Sequence, residues 1–253
     1  MIAVLSPAKL LEEKTRYPEL PYTLPALLDQ SEVLVKKLRT FSAKKLGDMM
    51  GISPELSDVN KRRYTEWNQP FTRDNAKQAL LMFSGDVYRG LDAKSLSADD
   101  LLYAQDHVRI LSGLYGVLRP LDLIQPYRLM MGTPFSPSAK KKNLYEFWGD
   151  TLVDHLEKEL QPADVLIQLA SSEYFKALKP SQLKVRVITC DFKERKGGKE
   201  VGVQTYVKLA RGYMARYIIE NRVEEPELLK EFNVQGYHFT PGSSSTDNWV
   251  FVR

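Results

Sequence analysis

A glycine turn between two arginines is the segment of this chain whose residue types best fit phosphate binding. Residues 108–122 read Val-Arg-Ile-Leu-Ser-Gly-Leu-Tyr-Gly-Val-Leu-Arg-Pro-Leu-Asp. Two glycines three positions apart allow a tight turn with exposed N–H groups, and such a nest of amides attracts phosphate. The flanking arginines could neutralise neighbouring phosphates. The alternative is a structural turn whose glycines only permit close packing. The candidate phosphate contacts are Arg109, Gly113, Leu114, Tyr115, Gly116 and Arg119.

A basic stripe on a predicted helix is the second candidate. The helix is expected over 207–221, and its residues Lys208, Arg211 and Arg216, with Arg222 just beyond, fall within an arc of about 140°. Such a stripe is typical of a phosphate track, although a solvated helix face has the same composition.

Two loops form the third candidate, because each follows a predicted buried strand. They are Ser6-Pro-Ala-Lys9 and Ser171-Ser-Glu-Tyr174. If the strands are parallel neighbours, both loops lie at the carboxyl edge of the sheet, where such sheets bind ligands. Lys9 and Glu173 would then lie close together, either as part of a reactive site or as a structural ion pair. The polar pocket expected there comprises Ser6, Lys9, Ser172, Glu173 and Lys176.

The distribution of charge agrees with a polyanion-binding surface. The chain of 253 residues has a net charge of +4. Residues 170–222 contain twelve basic and five acidic side chains, a net charge of +7, so the remainder is slightly acidic. This asymmetry indicates either a polyanion-binding face or a solvated basic surface.

Composition excludes several classes of protein. Cys190 is the single cysteine and the three histidines are scattered, so we expect no disulfide, no bound metal and no cofactor. We expect the Cys190 thiol to be an inert core group. No apolar run approaches the roughly 18 residues of a membrane span, and Met1-Ile-Ala-Val-Leu-Ser does not resemble a signal peptide. A cytoplasmic location without membrane partners is therefore predicted.

Periodicity predicts a mixture of helices and strands that position these candidates. We expect one domain over 1–253, α/β (α+β) in class, with a mixed sheet surrounded by helices. An irregular connection is expected over 11–25, where Pro18 and Pro21 interrupt any regular element. Strands are predicted at 2–5, 164–170, 184–189 and 200–206, with a hairpin turn at Lys196-Gly-Gly-Lys199. Helices are predicted at 26–41, 53–67, 98–111, 143–160 and 207–221. A further short helix is expected to begin after the cap Ser42 and to end at Gly51.

Short motifs along the whole chain resemble the YaaA family of bacterial peroxide-stress proteins. One departure from the family pattern is Leu10, where a threonine is expected after the Ser-Pro-Ala-Lys loop. The motifs are Ser6-Pro-Ala-Lys9, Gly85-Asp-Val-Tyr88, the segment 111–122, Gln125-Pro-Tyr-Arg128, Phe147-Trp-Gly-Asp150, Glu173-Tyr-Phe-Lys176, Ala210-Arg-Gly212 and Ile219-Glu-Asn-Arg222.

The resemblance implies a cytosolic protein of the peroxide response that binds DNA through a basic cleft and a helix-hairpin-helix element. It also implies that iron-dependent damage to DNA is limited. We therefore expect sequence-independent binding to duplex or branched DNA, with Arg128 among the contacts. The alternative is an enzyme that acts on a nucleotide or a nucleic-acid lesion through the polar pocket. Direct iron chelation is the least favoured reading, because the carboxylates lack ferritin-like Glu-x-x-His spacing.

Overall fold

The computed structural model describes residues 1–15, 17 and 19–253. Arg16 and Pro18, both within the predicted irregular connection, lie outside the described residues. In chain order the strands are β1 (Ile2–Leu5), β2 (Leu10–Leu11), β3 (Lys77–Gln78), β4 (Phe83–Ser84), β5 (Val108–Ser112), β6 (Gly116–Leu118), β7 (Leu123–Ile124), β8 (Val165–Gln168), β9 (Arg186–Lys196), β10 (Lys199–Val201), β11 (His238–Phe239) and β12 (Asn248–Val252). The helices are α1 (Leu28–Arg39), α2 (Ala43–Met50), α3 (Pro54–Glu66), α4 (Ala79–Met82), α5 (Asp86–Leu91), α6 (Ala98–His107), α7 (Leu144–Trp148), α8 (Thr151–Glu157), α9 (Ser172–Phe175) and α10 (Gln204–Glu220).

A mixed sheet organises the molecule, as predicted. Its strand order is β11-β12-β9-β8-β1-β5-β6, and β10 pairs with the far end of β9. The five central strands β12, β9, β8, β1 and β5 are parallel, whereas β11, β6 and β10 pair antiparallel with their neighbours. Two short pairs, β2 with β4 and β3 with β7, lie outside this sheet. The protein is therefore an α/β fold.

Burial of the central strands explains why their sequences are apolar. All four residues of β1 are buried, because helices cover a parallel sheet on both faces. In β9 the residues alternate instead: Ile188, Cys190 and Phe192 are buried, while their neighbours are partly exposed. One continuous core extends from Ile2 to Phe251, so the fold is a single domain.

The structure changes two of the predicted helices. The helix expected over 143–160 is divided into α7 and α8 at Gly149, whose φ of +53° an α-helix cannot contain. The helix expected over 98–111 ends at His107, because the next five residues join the central sheet beside β1.

The helix-hairpin-helix predicted around Gly113 and Gly116 is wrong at that position. Residues 108–118 form the β5–β6 hairpin, with Leu111 opposite Val117 and Ser112 opposite Gly116. Every residue of this hairpin is buried. The segment is a central part of the sheet rather than a surface turn.

Two consecutive helices joined by a glycine turn do occur, at α2 and α3. Gly51 has a φ of +61° and its N–H donates to the Gly47 carbonyl, which ends α2. Ser53 caps α3, whose first helical residue is Pro54. The helices approach closely, since a Cβ on Gly47 would lie 2.3 Å from the Ser57 Oγ. This α2–α3 pair has the helix–turn–helix connectivity that was expected elsewhere.

Candidate functional site at the carboxyl edge of the sheet

The loops after β1 and β8 meet at the carboxyl edge, as predicted. The two strands are parallel neighbours, with Val4 opposite Gln168. Ser6 Oγ accepts the Ser171 N–H at 2.8 Å and donates to Ser171 Oγ at 3.3 Å. Ser172, the serine predicted for this pocket, is exposed instead. Ser171 is thus the residue that joins the loops.

Glu173 lies at this edge but does not pair with Lys9. Its carboxylate accepts the Gly132 N–H at 2.8 Å, and its carbonyl accepts the Tyr145 hydroxyl at 2.9 Å. Lys176 Nζ lies 4.2 Å from the centre of the Tyr145 ring, a cation–π contact. Lys9 is exposed and makes no hydrogen bond or ion pair with any residue that the structure describes. The ion pair considered between Lys9 and Glu173 is absent, and both lysines keep their charge available at the edge.

Buried tyrosine side chains form hydrogen bonds with residues around the carboxyl edge. The Tyr88 hydroxyl donates to the Ser6 carbonyl at 3.0 Å, and the Tyr174 hydroxyl contacts Met130 Sδ at 3.4 Å. Tyr127 and Ser112 share a hydrogen bond of 2.7 Å. Burial raises the pKa of all three tyrosines, and that of Tyr88 is raised further by its tyrosine neighbours. These hydroxyls therefore stay protonated and hold the loops in place.

The structure contradicts the predicted phosphate contacts of the glycine turn. Gly113, Leu114, Tyr115 and Gly116 are all buried. A Cβ on Gly113 would lie 2.3 Å from the Leu129 carbonyl oxygen. The glycines therefore permit close packing, which is the alternative reading of this segment.

Both arginines that flank the turn have internal partners. Arg109 is buried, and its Nε donates to the Glu159 carboxylate at 2.5 Å. Arg119 reaches the surface but pairs with Asp106 at 2.6 Å and donates to the Gln105 carbonyl. Burial of the Arg109 guanidinium lowers its pKa, and Glu159 opposes that shift. The first arginine is structural, and the charge of the second is already neutralised.

The predicted basic stripe on α10 is not a continuous free surface. Arg216 pairs with Glu220 at 2.7 Å and donates to the carbonyls of Leu91 and Asp92. Arg222 pairs with Asp100 at 2.7 Å. Asp92 and Asp100, which lie far from α10 in sequence, help Glu220 to neutralise these charges, and a local count of charge does not register them.

The two remaining cations of α10 have no carboxylate partner within the described residues. Lys208 is exposed. Arg211 is half-buried, and its Nε is buried without an acceptor. Burial lowers the pKa of Arg211, while the nearby Asp191 opposes that effect. Arg211 thus turns toward β9 instead of standing on a solvent face.

Several exposed lysines near the edge were not singled out from the sequence. They lie in the run 140–142, which precedes α7, and in the β9–β10 hairpin at Lys196 and Lys199. The run lies near Asp150, whose pKa is lowered by Lys179 and, to a smaller extent, by Lys141. Three consecutive lysines are visible in the sequence, so the signal was present.

Arg128, the last predicted contact, lies beside α3. Its carbonyl accepts the Tyr64 hydroxyl at 2.5 Å. Its guanidinium has no hydrogen-bond acceptor among the residues described.

Neither a metal cluster nor a membrane-spanning helix was found in the part of the chain that the structure describes. No group of three or more His, Cys, Asp or Glu side chains there could hold a metal ion. None of its helices is long and apolar enough to cross a membrane. Cys190 is buried, and burial raises the pKa of its thiol.

The fold and the site at the carboxyl edge define the class of this protein. It is an α/β protein in which two hydrogen-bonded loops and several lysines without ion-pair partners among the described residues lie at one edge of the sheet. The model of one family, described as peroxide stress protein YaaA, matches residues 1–243. The chain belongs to this family. It is 48% identical to a UPF0246 protein of Neisseria meningitidis serogroup B over 255 residues, covering 100% of this chain and 98% of the relative. UPF0246 proteins of Ralstonia nicotianae and Hahella chejuensis are each 51% identical over 255 residues, with 100% of this chain and 99% of each relative covered. The family assignment associates the protein with peroxide stress.

Proposed function

We propose that this protein binds the DNA backbone without strong sequence preference during peroxide stress, through the carboxyl edge of its sheet. The observation that carries the proposal is a set of exposed lysines without a carboxylate within ion-pairing distance. Lysines in this state are available to phosphates, whose neutralisation supplies most of the affinity in sequence-independent binding. The set, here called the edge lysines, is Lys9, Lys140, Lys141, Lys142, Lys176, Lys196, Lys199 and Lys208.

The β9–β10 hairpin continues past the end of β8 at this edge. β8 ends at Gln168, which lies opposite Thr189, whereas β9 continues for seven more residues to Lys196. β12 lies alongside this continuation as far as Lys193, and the Arg195 N–H donates to the Arg253 carbonyl at 2.8 Å, so only the turn at the end of the hairpin projects from the sheet. Lys196 and Lys199 are paired across its end, beside the Gly197–Gly198 turn. A duplex strand presents one phosphate per about 3.4 Å of helix axis, so two lysines at this turn can contact neighbouring phosphates.

The α2–α3 pair is a second candidate foothold. Its turn exposes Gly51 and Ser53, and Lys44 and Lys45 are exposed in the first turn of α2. The Ser53 N–H has no acceptor among the described residues, so a phosphate oxygen can accept it. This pair takes over the role that the resemblance assigned to a helix-hairpin-helix element.

Protection from iron-dependent oxidative damage follows if the bound protein covers the duplex. A covered sugar–phosphate backbone is less open to oxidants generated near it. Chromosomal DNA as the partner implies action in the cytoplasm.

A direct test compares free cations with paired ones. Lys140, Lys141 and Lys142 are replaced together by Gln, and a control variant replaces Lys184, Arg186 and Lys230, which lie within 4.0 Å of carboxylates. Both variants lose three positive charges. We expect the first to weaken binding to two duplexes of unrelated sequence by at least tenfold, and the control to bind nearly as tightly as the parent. Equal losses of affinity in both variants would mean that net charge alone accounts for the effect, and would contradict binding at the carboxyl edge.

An enzyme acting on a nucleotide or a nucleic-acid lesion is the second candidate function. The contact between Ser6 and Ser171 favours it, because it assembles hydroxyls and the Glu173 carboxylate at the edge where α/β sheets bind ligands. Incubation with nucleotides and with oligonucleotides carrying oxidised bases tests it. Turnover that disappears in Glu173→Gln would establish this candidate, and absence of product with every substrate would reject it.

A further inference from the structure

A cleft of about 390 Å³ lies between α3 and the segment that follows β7, and none of the edge lysines lines it. Its volume falls within the range of small-molecule sites, about 300–1,000 Å³. Its lining combines positive, amide and aromatic groups with two carboxylates. The residues that line it are Glu13, Val59, Arg62, Arg63, Glu66, Trp67, Asn68, Asn75, Gln125 and Pro126.

Arg63 is held in the wall of this cleft. Its side chain is 17% exposed and pairs with Glu13 through Nη2. Nη1 donates to Asn60 Oδ1 at 3.3 Å, while Nε is buried without an acceptor. Hydrogen bonds to one carboxylate and one amide oxygen therefore leave some N–H donors of the guanidinium without an acceptor in the described part of the chain.

A second arginine lies beside the first without a partner of its own. Arg128 is half-buried, and no described residue accepts a hydrogen bond from its guanidinium. Burial lowers the pKa of Arg128, and the positive charge of Arg63 lowers it further. Two neighbouring guanidiniums repel each other, and an anion bound between them removes that cost.

Rigid elements fix this pair. The Tyr64 hydroxyl, next in sequence to Arg63, donates to the Arg128 carbonyl at 2.5 Å. Gln125 accepts the Asn68 N–H at 3.0 Å and donates to the Asn68 carbonyl at 2.7 Å. The two walls of the cleft are thus bound to each other, and a ligand needs little rearrangement to enter.

We propose that Arg63 in the wall of this cleft, together with its neighbour Arg128 just outside the lining, binds the phosphate group of a small phosphorylated molecule, with the exposed Arg62 also lining the cleft. Guanidinium groups match phosphate geometry with paired N–H donors. Glu13 is already engaged by Arg63, and Glu66 is an acceptor for hydroxyl or amino groups elsewhere on the ligand. A nucleoside monophosphate has both features, and so does a nucleotide within a DNA strand.

The inference does not depend on the proposed function, because its residues are not among the edge lysines. Isothermal titration of the full-length protein uses four probes: inorganic phosphate, adenosine monophosphate, adenosine, and a short single-stranded oligonucleotide. We expect adenosine monophosphate to bind more tightly than inorganic phosphate, and adenosine not to bind. If only the oligonucleotide binds and its binding needs Arg128, the phosphate site stands and its source is a DNA strand.

Arg128→Gln is the deciding variant, because no described residue accepts a hydrogen bond from its guanidinium and the replacement therefore removes no hydrogen bond of the fold. We expect at least a tenfold loss of affinity for the phosphorylated probes, and a similar loss in Arg63→Lys, which keeps the charge but not the fork of donors. Arg186→Gln, at a distant ion pair with Asp247, should bind like the parent. A melting temperature measured for each variant separates lost binding from lost folding. Absence of binding by every phosphorylated probe, or unchanged binding in a folded Arg128→Gln protein, would overturn the proposal.

Discussion

Ser6 Oγ accepts the main-chain N–H of Ser171 at 2.8 Å, a contact between residues 165 positions apart. This hydrogen bond fixes the loop after β1 against the loop after β8. Both loops carry residues of the candidate edge, Lys9 on one side and Glu173 on the other. The geometry of the edge therefore depends on a contact that exists only when the parallel strands are in register.

Ser6→Ala should destabilise the protein by about 1–3 kcal/mol, because a partly buried N–H loses its acceptor. Ser172→Ala, which removes an exposed hydroxyl from the adjacent position, should change the unfolding free energy by less than about 0.5 kcal/mol. Urea denaturation of both variants measures the difference. Equal stability of the two variants would mean that the contact does not hold the loops together.

Substitutions at Gly116 and Gly198 distinguish the stability cost of steric crowding from that of backbone strain. Their φ values are +75° and +76°, but a Cβ on Gly116 would lie 2.8–3.1 Å from Leu27, Leu152 and Trp148, whereas nothing lies within 4 Å of Gly198. Gly198→Ala should cost only the strain of the left-handed conformation, about 1–2 kcal/mol. Gly116→Ala should cost a further 1–3 kcal/mol or so for overpacking. Similar losses of stability in both would contradict the buried position of the β5–β6 hairpin.

The two arginines that flank the same hairpin should also differ. Arg109→Ala leaves the Glu159 carboxylate without its partner and should destabilise the protein by about 3–5 kcal/mol. Arg119→Ala removes a surface ion pair with Asp106 and should cost about 1 kcal/mol or less. Neither change should alter DNA affinity in protein that remains folded. A clear loss of affinity in folded Arg119→Ala protein would restore the reading of this segment as a phosphate contact.

Glu12 should make stability depend on acid pH. Hydrogen bonds from Thr15, from the N–H groups of Lys14 and Thr15 and from Lys77 lower the pKa of this carboxyl far below its ordinary value of 4.5. Because the pKa is lower in the folded state, the stabilisation is present above pH 4.5 and is lost as the pH falls below it. The stability difference between the parent and Glu12→Gln should therefore shrink from pH 6 to pH 3. A difference that stays constant over this range would show that the carboxylate charge does not contribute.

The parts of the fold that local patterns determine could be predicted from the sequence. The strand over 2–5, the helix beginning at Ser53-Pro54 and the hairpin turn at Gly197-Gly198 each have a local signal, and the structure confirms them. The assignment of residues 108–111 to the end of a helix was wrong, because a short apolar run fits a buried helix end and a buried strand equally well. Pairing with β1, about a hundred residues away, decides between them.

The candidate site, too, could be predicted from the sequence only in part. That two loops after parallel strands share an edge follows from topology alone, so their meeting could be predicted. Which cations stay unpaired could not, because the carboxylates that neutralise Arg216 and Arg222 are at Asp92 and Asp100 as well as in the same helix. Local charge counts overestimate a basic face whenever tertiary contacts supply its counterions.

The salt dependence of DNA binding tests the central claim most directly. If about six edge lysines contact phosphates, the logarithm of the association constant should fall with the logarithm of salt concentration with a slope of about −5. Replacing Lys140, Lys141 and Lys142 by Gln should remove up to three of those contacts and bring the slope to about −2.5. A slope near zero for the parent, or one that the triple replacement leaves unchanged, would contradict DNA-backbone binding at the carboxyl edge.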